Sequence, residues 1–332
     1  VGIARAGHPF NGVINKDEAI EIYTGGVMPM GPDCVAMHED CSRDGNKIRV
    51  SATLSKGSNM RPPGENLAKG ETLISKGQMI TAALIGQLAA SGTAQLPVSR
   101  RIRVAILSTG DEVVAAGNSA TNGQIFDANR PMLKAMLQHN HIDLIDCGIV
   151  PDNKDALADA YEQALQGADV VISSGGASDG IEDHTQNAML QIGAECVFWR
   201  LAMKPGRPMA VGRRGKELIF CLPGNPVAAF VCTRLLILPL LERASGGAWQ
   251  PALKIGVPAG FTHRKKPGRA EFLRVVLENN DGKQQLVLHG RKGAGVISSL
   301  TGADGLVEIP LDNAGVELGT VLNFLPFHER GL

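Results

Sequence analysis

The stretch Ile142–Gly176, IDLIDCGIVPDNKDALADAYEQALQGADVVISSGG, settles the class of fold. An apolar run over Ile142–Val150 is followed by a polar turn, a helical pattern over Lys154–Leu165 and a second apolar run over Asp169–Ser174. Strands that alternate with helices need crossover connections, so this unit predicts parallel pairing. The same texture extends in both directions. Runs at Ile102–Leu107, Glu195–Ala202 and Glu217–Leu222 read as further strands, and Pro131–His139, His184–Ile192 and Pro226–Leu241 as further helices. Residues 99–247 are therefore expected to form a doubly wound α/β domain with a mostly parallel sheet.

The texture differs on either side. Residues 1–75 are punctuated by Gly and Pro, with short apolar runs at Glu18–Tyr23, Cys34–Met37 and Lys47–Val50, the pattern of a small β-rich unit. Gln78–Ala90 carries Ile80, Leu84 and Leu88 at helical spacing and stops at Gly92, so residues 76–98 read as a connecting helix and linker. After Gly246-Gly247, short alternating runs (Phe272–Leu277, Gln285–His289, Gly305–Ile309, Thr320–Phe324) are separated by turn signals such as Asn280-Asp281-Gly282. Residues 248–332 are expected to be a small all-β barrel or sandwich.

Composition bounds what such a chain can do. Its 332 residues leave room for two or three domains at roughly 100–200 residues each. Lys plus Arg (33) balances Asp plus Glu (33), so no overall field attracts nucleic acid or an anionic membrane, and any anion site must be local. Aromatics are only 4%, and the longest cationic cluster, His263–Lys266, is short enough to be a solvated loop, which argues further against nucleic acid. The longest apolar stretch, near Phe230–Leu241, is broken by Thr233, Arg234 and Pro239, well short of the ~18 residues a membrane span needs. Six cysteines without a C-x-x-C pair indicate neither a zinc site nor a disulfide framework. Cys147, Cys196 and Cys221 lie in apolar runs and read as buried thiols, which suits a reducing cytoplasm. The sequence starts at Val1 rather than Met and shows no secretory leader, so a further N-terminal piece is expected upstream.

In an open α/β sheet, ligands bind at the carboxyl ends of the strands, where helix N-termini and bare amides point. The five strands end in Ser108-Thr109-Gly110-Asp111-Glu112, Pro151-Asp152-Asn153, Ser174–Gly180, Lys204-Pro205-Gly206-Arg207-Pro208 and Leu222-Pro223-Gly224-Asn225-Pro226. Gly175-Gly176, with Ser174 and Ser178, offers amides and hydroxyls at close range to a phosphate. Asn225 followed by Pro226 reads as a helix N-cap with Pro at the first position. Lys204, Arg207 and Arg200 are expected to converge, with residues 200, 202 and 204 on one strand face. Asp111, Glu112, Asp152 and Asp183 stand on neighbouring loops. Cations and carboxylates around a nest of amides suit a phosphate or other oxyanion bridged by a hard cation such as Mg²⁺.

Those segments also carry a likeness. Ser108–Glu112 (STGDE), Gly123–Arg130 (GQIFDANR), Ser174–Asp183 (SGGASDGIED), Phe198–Pro208 (FWRLAMKPGRP) and Leu222–Pro226 (LPGNP) resemble, in order and spacing, the molybdopterin molybdenumtransferase family, MoeA, to which the C-terminal part of gephyrin belongs. Ile22–Asp33 (IYTGGVMPMGPD), Arg61–Asn66 (RPPGEN), Gly268–Arg274 (GRAEFLR) and Ala303–Pro310 (ADGLVEIP) extend the resemblance over essentially the whole chain. It implies a hammerhead-like first unit, a central molybdopterin-binding domain and a C-terminal β-barrel, in a cytoplasmic homodimer whose site is completed across the interface. The implied activity is insertion of molybdenum from molybdate into adenylylated molybdopterin, with Mg²⁺ present and AMP released, and the molybdopterin adenylyltransferase is the implied protein partner.

Carried over by motif, catalytic roles are expected at Thr24, Glu112, Asp152, Asp183, Arg200 and Lys204, with Glu112 and Asp183 as the metal ligands. Binding of the pterin nucleotide is expected at Thr109, Gly110, Ser174, Gly175, Gly176, Ser178, Gly180, Pro205, Gly206, Arg207, Pro223, Gly224, Asn225 and Pro226. Two departures matter: Asn66 stands where the family usually has Asp, and Ala294 where Ser is typical. They motivate an alternative, a catalytically attenuated paralogue that binds or carries molybdopterin or the finished cofactor. A scaffold role of the gephyrin kind finds no further support in the residues.

Overall fold

Gly and Pro leave the first 75 residues with little regular structure. In the computed structural model, which describes residues 1–177, 184–249, 251–280 and 282–327, they form one of two compact units, Val1–Ser75 and Lys76–Leu332. In the first unit β1 (Ile3–Ala4) pairs in parallel with β2 (Glu21–Ile22), and β3 (Cys41–Asp44) forms a hairpin with β4 (Lys47–Val50). Ala4 and Ile14 are its buried hydrophobic residues, while Ile3, Val13, Tyr23, Val27, Met30 and Met37 are exposed.

The second unit begins with α1 (Ala82–Ala90), capped by the Thr81 hydroxyl, which accepts from the Leu84 amide at 3.3 Å. The alternation then runs β5 (Ile102–Thr109), the short parallel pair β6 (Val113–Val114) and β7 (Ile125–Phe126), α2 (Asn129–Met136), β8 (Ile142–Val150), α3 (Lys154–Leu165), β9 (Val170–Ala177) and α4 (His184–Gln191). It continues with β10 (Glu195–Trp199), β11 (Met203–Lys204), β12 (Ala210–Arg214), β13 (Glu217–Pro223), α5 (Pro226–Cys232) and α6 (Leu238–Ala244). The sheet order is β10-β12-β13-β9-β5-β8, with β13, β9, β5 and β8 parallel.

Strand periodicity distributes the core over both faces. Val104 and Ile106 of β5, Ile172 of β9 and Phe220 and Leu222 of β13 pack with Leu133, Val227, Val231 and Leu241. The residues between them, Ala105, Leu107, Val171, Ile219 and Cys221, pack with Leu157, Tyr161 and Met189. A sheet buried on both faces reads as continuous apolar runs, and that is why its strands are legible in the sequence.

Several expectations need correction. β12 is a sixth strand, antiparallel to both neighbours, hidden in the sequence between the Gly-Arg-Pro turn and Gly215. The helix expected over Pro226–Leu241 is α5 and α6 joined by a π-helical stretch, Thr233–Ile237. Cys221 is buried, but Cys147 and Cys196 are only half-buried, because each lies on an edge strand of the sheet.

The C-terminal residues add β14 (Ile255–Pro258), β15 (His263–Arg264), β16 (Ala270–Asn280), β17 (Lys283–Leu288), β18 (Gly305–Ile309), β19 (Gly315–Val316) and β20 (Val321–Pro326). Their main sheet runs β11-β16-β18-β20-β14, with β17 on the far half of β16. A parallel bridge from Ala259, just after β14, to Leu286 joins that side of the sheet to β17. β11 matters most for the site: it pairs Met203 and Lys204 with Ala270 and Glu271, fastening the loop after β10 to the C-terminal sheet.

At the foot of the central sheet Asp169 ties three strands. Its carboxylate accepts from the Arg103 amide (2.9 Å) and from both terminal nitrogens of Arg100 (2.7 and 2.8 Å), and its own carbonyl accepts from the Leu218 amide. The Arg100 bonds hold this carboxyl well below the usual range. A depressed carboxyl contributes stability that is fully present above its unfolded value, about pH 4, and lost as pH falls toward the folded one. Asp169→Asn is therefore expected to lower unfolding stability by about 1 kcal/mol at neutral pH, discounted for the exposed Arg100 partner. In urea titrations the difference from the unsubstituted chain should be full above about pH 4 and narrow progressively as the pH falls below it.

Candidate functional site

The four parallel strands end at one rim, and β10, reversed twice through β12 and β13, points the same way. Glycine permits the close approach there. Gly175 has φ +104°, and a Cβ on it would run into the Thr109 carbonyl. One on Gly176 (φ +67°) would lie 2.5 Å from the Thr185 hydroxyl and 3.5 Å from Asp152 Oδ1. Gly224, after β13, packs on the Gly175 Cα at 3.7 Å from its own missing Cβ. Thr109, Gly175, Gly176, Asp152 and Gly224 of the expected set are thus brought together.

The rim is polar and under-satisfied. Among the described residues, Thr109 Oγ1, Asn129 Oδ1, Asp152 Oδ1 and Thr185 Oγ1 are buried atoms that find no hydrogen-bond partner, in a fold where such atoms are normally paired. Burial pushes the Asp152 carboxyl up, and the Asp111 and Glu112 charges push the same way. His184 opposes the shift, as does the Thr109 hydroxyl, near enough to favour the charged form without closing a full hydrogen bond. The Asp152 amide donates to Asp111 Oδ1 at 3.1 Å. This donor set has the hard-oxygen chemistry that suits Mg²⁺, and a cation would relieve the mutual repulsion. Among the described residues no three His, Cys, Asp or Glu side chains are already grouped around a metal position. Ser178, Gly180 and Asp183 lie outside the described residues.

A brace that the sequence did not single out as functional holds the rim. Asp127 is buried; its Oδ1 accepts from the Ser108 hydroxyl (3.0 Å) and the Arg130 amide (3.1 Å), and its Oδ2 from Arg130 Nε (3.0 Å). Arg130 also pairs with Asp146 at 2.7 Å, which with Lys134 (2.8 Å) holds the Asp146 carboxyl at about 2 against the opposing effect of burial. Asn129 Nδ2 donates to Ser174 Oγ and to the Gly224 carbonyl, both at 2.7 Å, and so links β9 to the turn after β13. The quoted motif GQIFDANR contains all three residues, but only their contacts assign them this part.

Beside the rim lies a cavity of about 250 Å³, walled by the Lys204–Pro208 loop, Pro223, Asn225, β16 and the loop after β17. Lys204, Pro205, Gly206 and Arg207 line it, as expected of a binding loop; Arg200 does not. With φ +89°, Arg200 leaves the strand as β10 ends at Trp199, and its amide bonds back to the Met209 carbonyl, so 200, 202 and 204 do not share a strand face. Asn225 occupies the N-cap position but makes no side-chain cap; it forms part of the cavity wall. Thr24 is exposed in the turn after β2, in the Val1–Ser75 unit.

The C-terminal sheet supplies the rest of the wall: His263, Arg269, Glu271, Arg274, His289, Arg291, Lys292 and Ala294. Arg274 is 8% exposed, and among the described residues its guanidinium donates only to neutral acceptors, Ser299 Oγ (3.0 Å) and the Arg291 (3.1 Å) and Gly293 (3.4 Å) carbonyls. Burial lowers it from its ordinary value, yet an arginine keeps its charge at neutral pH. Glu271 accepts from Lys204 Nζ at 3.1 Å and lies 2.8 Å from His263 Nε2. The cluster His263–Lys266, read above as a solvated loop, thus contributes a cavity residue, and the quoted GRAEFLR segment contributes five.

The family description "probable molybdopterin binding domain" matches residues 105–243, "MoeA N-terminal region (domain I and II)" residues 2–92 and "MoeA C-terminal region (domain IV)" residues 257–327. A molybdopterin molybdenumtransferase of Haemophilus influenzae is 32% identical over 331 residues, 99% of this chain and 82% of the relative. One from Nostoc is 35% identical over 320 residues, 95% of this chain and 73% of the relative. A solved molybdopterin biosynthesis MoeA protein of Pyrococcus horikoshii superposes with a TM-score of 0.78 at 30% identity, covering 99% of this chain and 81% of that one.

The brace yields a direct expectation. Asp127→Ala strips Ser108 and Arg130 of a shared buried acceptor and should reduce stability by about 3 kcal/mol, measured by denaturant unfolding, whereas Asp111→Ala at the exposed rim should change it by less than about 0.5 kcal/mol.

Proposed function

From the premise that the chain belongs to the molybdopterin molybdenumtransferase family, enzymes of molybdenum cofactor biosynthesis, we propose that it inserts molybdenum from molybdate into adenylylated molybdopterin and releases AMP. One observation carries the reading. The cavity is lined by many cations and one carboxylate, and the buried Arg274 among them has no acidic partner among the described residues. An unpaired buried charge is costly, and a tetrahedral dianion offsets that cost. Molybdate is such an anion. Lys204, Arg207 and Arg274 would hold it, and the amides and hydroxyls of Thr109, Gly110, Ser174, Gly175 and Gly176, with the Pro223–Pro226 turn, would take the pterin nucleotide on the adjoining rim.

Mg²⁺ would be held by Glu112 and Asp183, and when bound supplies charge neutralisation at the phosphoryl groups. The carboxylates of this chain then position water against the adenylate, a role suited to Asp152, whose burial raises its carboxyl and makes its ionised form the stronger base. Arg200 acts as a further cation at the mouth of the loop, outside the cavity wall.

The reading extends to assembly. A 75-residue unit whose buried hydrophobics are Ala4 and Ile14 leaves much apolar surface to be covered, and a second copy of the chain is the proposed cover, bringing Thr24 to the site of its partner. Among the described residues no helix is long and apolar enough to cross a membrane. The six cysteines are free, as a reducing cytoplasm would leave them, and the molybdopterin adenylyltransferase is the proposed supplier of the pterin nucleotide. One observation favours the carrier alternative: Ala294, in place of a hydroxyl-bearing residue, lies in the cavity wall.

Purified protein given molybdate, Mg²⁺ and adenylylated molybdopterin should release AMP and form active cofactor. Lys204→Ala and Arg274→Ala should each slow the reaction by about a hundredfold. AMP release no faster than that of Lys204→Ala would defeat the transferase reading, and tight pterin binding without AMP would establish the carrier. Sedimentation should give twice the chain mass, and a monomer at micromolar concentration would remove the cross-interface role of Thr24.

A further inference from the structure

Glu271 stands where an anion-binding cavity should least tolerate a carboxylate. It is buried, 7% exposed, and is the acidic member of a wall whose other charged residues are lysines and arginines. Its two oxygens are divided between two cavity residues. Oε1 faces Lys204 Nζ at 3.1 Å and Oε2 faces His263 Nε2 at 2.8 Å, with the imidazole itself only 9% exposed. Burial alone would raise the Glu271 carboxyl; its bonds to His263 and Lys204 outweigh that and hold it below the ordinary range. Lys204 is therefore engaged inward, on the same network as the cavity it lines.

The geometry fixes the tautomer. Facing a carboxylate, Nε2 of a neutral imidazole carries the hydrogen and donates it, and a second proton goes to Nδ1, for which no hydrogen bond is drawn among the described residues. Resting on the oxyanion reading above, we propose that Glu271 holds Lys204 until the incoming oxyanion takes its ammonium, and that His263 then gains one proton and replaces Lys204 as the counter-charge. The balance is simple: an N–H bond forms at Nδ1, the proton comes from solvent or buffer, and nothing is oxidised or reduced. Glu271 is a positioning residue in this scheme, and His263 a proton-coupled one.

The surrounding charges act in the same direction. Lys204 on β11, Arg274 on β16, Arg269 just before β16, His289 after β17 and Arg207 share the wall with His263, while β19, its ladder partner, presents the uncharged Gly315 and Val316 at the paired positions. An anion lying among those cations favours a further positive charge beside it. Anion and proton therefore bind together, each strengthening the other, as reciprocity requires.

Calorimetric titration of the whole chain with sodium molybdate, at about pH 6 and about pH 8 and in two buffers of different ionisation heat, reads this coupling. The unsubstituted protein should bind about fivefold to tenfold more tightly at the lower pH and take up as much as one proton. His263→Gln should bind with less than about a twofold pH difference and no uptake. Glu271→Gln, with no buried anion to compete, should bind at the higher pH at least as tightly as the unsubstituted protein does at the lower. The proposal is overturned if binding is independent of pH, if His263→Gln keeps the proton uptake, or if Glu271→Gln binds more weakly at the higher pH, as a mere brace for Lys204 would. Failure of the unsubstituted protein to bind molybdate at any pH would sink the oxyanion reading and this proposal together; binding without pH dependence sinks this proposal alone. Should one variant melt abnormally, the proton count of the unsubstituted protein and the other variant still decide.

Discussion

The rim exists because there is no Cβ at Gly175. The Thr109 carbonyl occupies the space a side chain would need, and the positive φ of Gly175 and Gly176 lets the chain turn over the end of β5 instead of continuing along it. From this contact the rest follows in sequence. Gly224 can lie on the Gly175 Cα, so the turn after β13 sits beside that after β9, and Asn129 can span the two with one amide group. Asp127 and Arg130 then fix the end of β5 from the other side. Side chains on strand ends alone would not converge to this degree; the backbone has to come within van der Waals contact first.

The cavity is organised on the opposite principle. Glycines make space at the rim, whereas in the cavity the scaffold holds like charges near one another. Lys204, Arg207, Arg269 and Arg274 share one wall and repel one another, and none of the neutral acceptors around Arg274 neutralises it. Such an arrangement persists because the elements carrying the charges are fixed independently: β11 by its ladder to β16, the Gly206 turn by its fit against Cys232 Sγ, where a Cβ would come within 2.5 Å, and β16 by β17 and β18. Stability is spent in the scaffold and held as electrostatic potential at the site, the arrangement that the proposed oxyanion position calls for.

How much of this could be read without coordinates depends on how local each cause is. The runs Ile102–Leu107 and Ile142–Val150 and the helix Lys154–Leu165 were legible because period and burial are written in consecutive residues. β12 was not, since its five residues carry Gly212 and two arginines and their apolar half merges with Met209. The rim was legible as Gly-rich strand ends. Arg200 was misplaced because alternation was extrapolated past Trp199, where the backbone turns left-handed. The cavity's second wall was out of reach, for Glu271 and Arg274 sit in a strand whose pattern is that of any half-buried strand; nothing local shows that β11 will bring Lys204 alongside. Pairing between elements 67 residues apart, as in the Lys204–Glu271 bond, is a property of the fold and not of either segment.

The two regions are electrically opposite and share a wall. Asp111, Glu112 and Asp152 gather on the rim side, cations on the cavity side, and the residues between them are Leu222–Asn225: Gly224 touches the rim at Gly175, while Pro223 and Asn225 line the cavity. A ligand that lay only in the cavity would leave the carboxylates in mutual repulsion, and a cation bound only at the rim would leave Arg274 uncompensated. The charge pattern is satisfied best by a ligand set that is anionic where it meets the cavity and carries a cation where it meets the rim, with its body across the Pro223–Asn225 turn. That requirement is more restrictive than either site alone, because it sets the order of charges along the bound species. It also explains why the turn is built from Pro, Gly, Asn and Pro: a longer or bulkier segment would separate the two fields and remove the reason for having both.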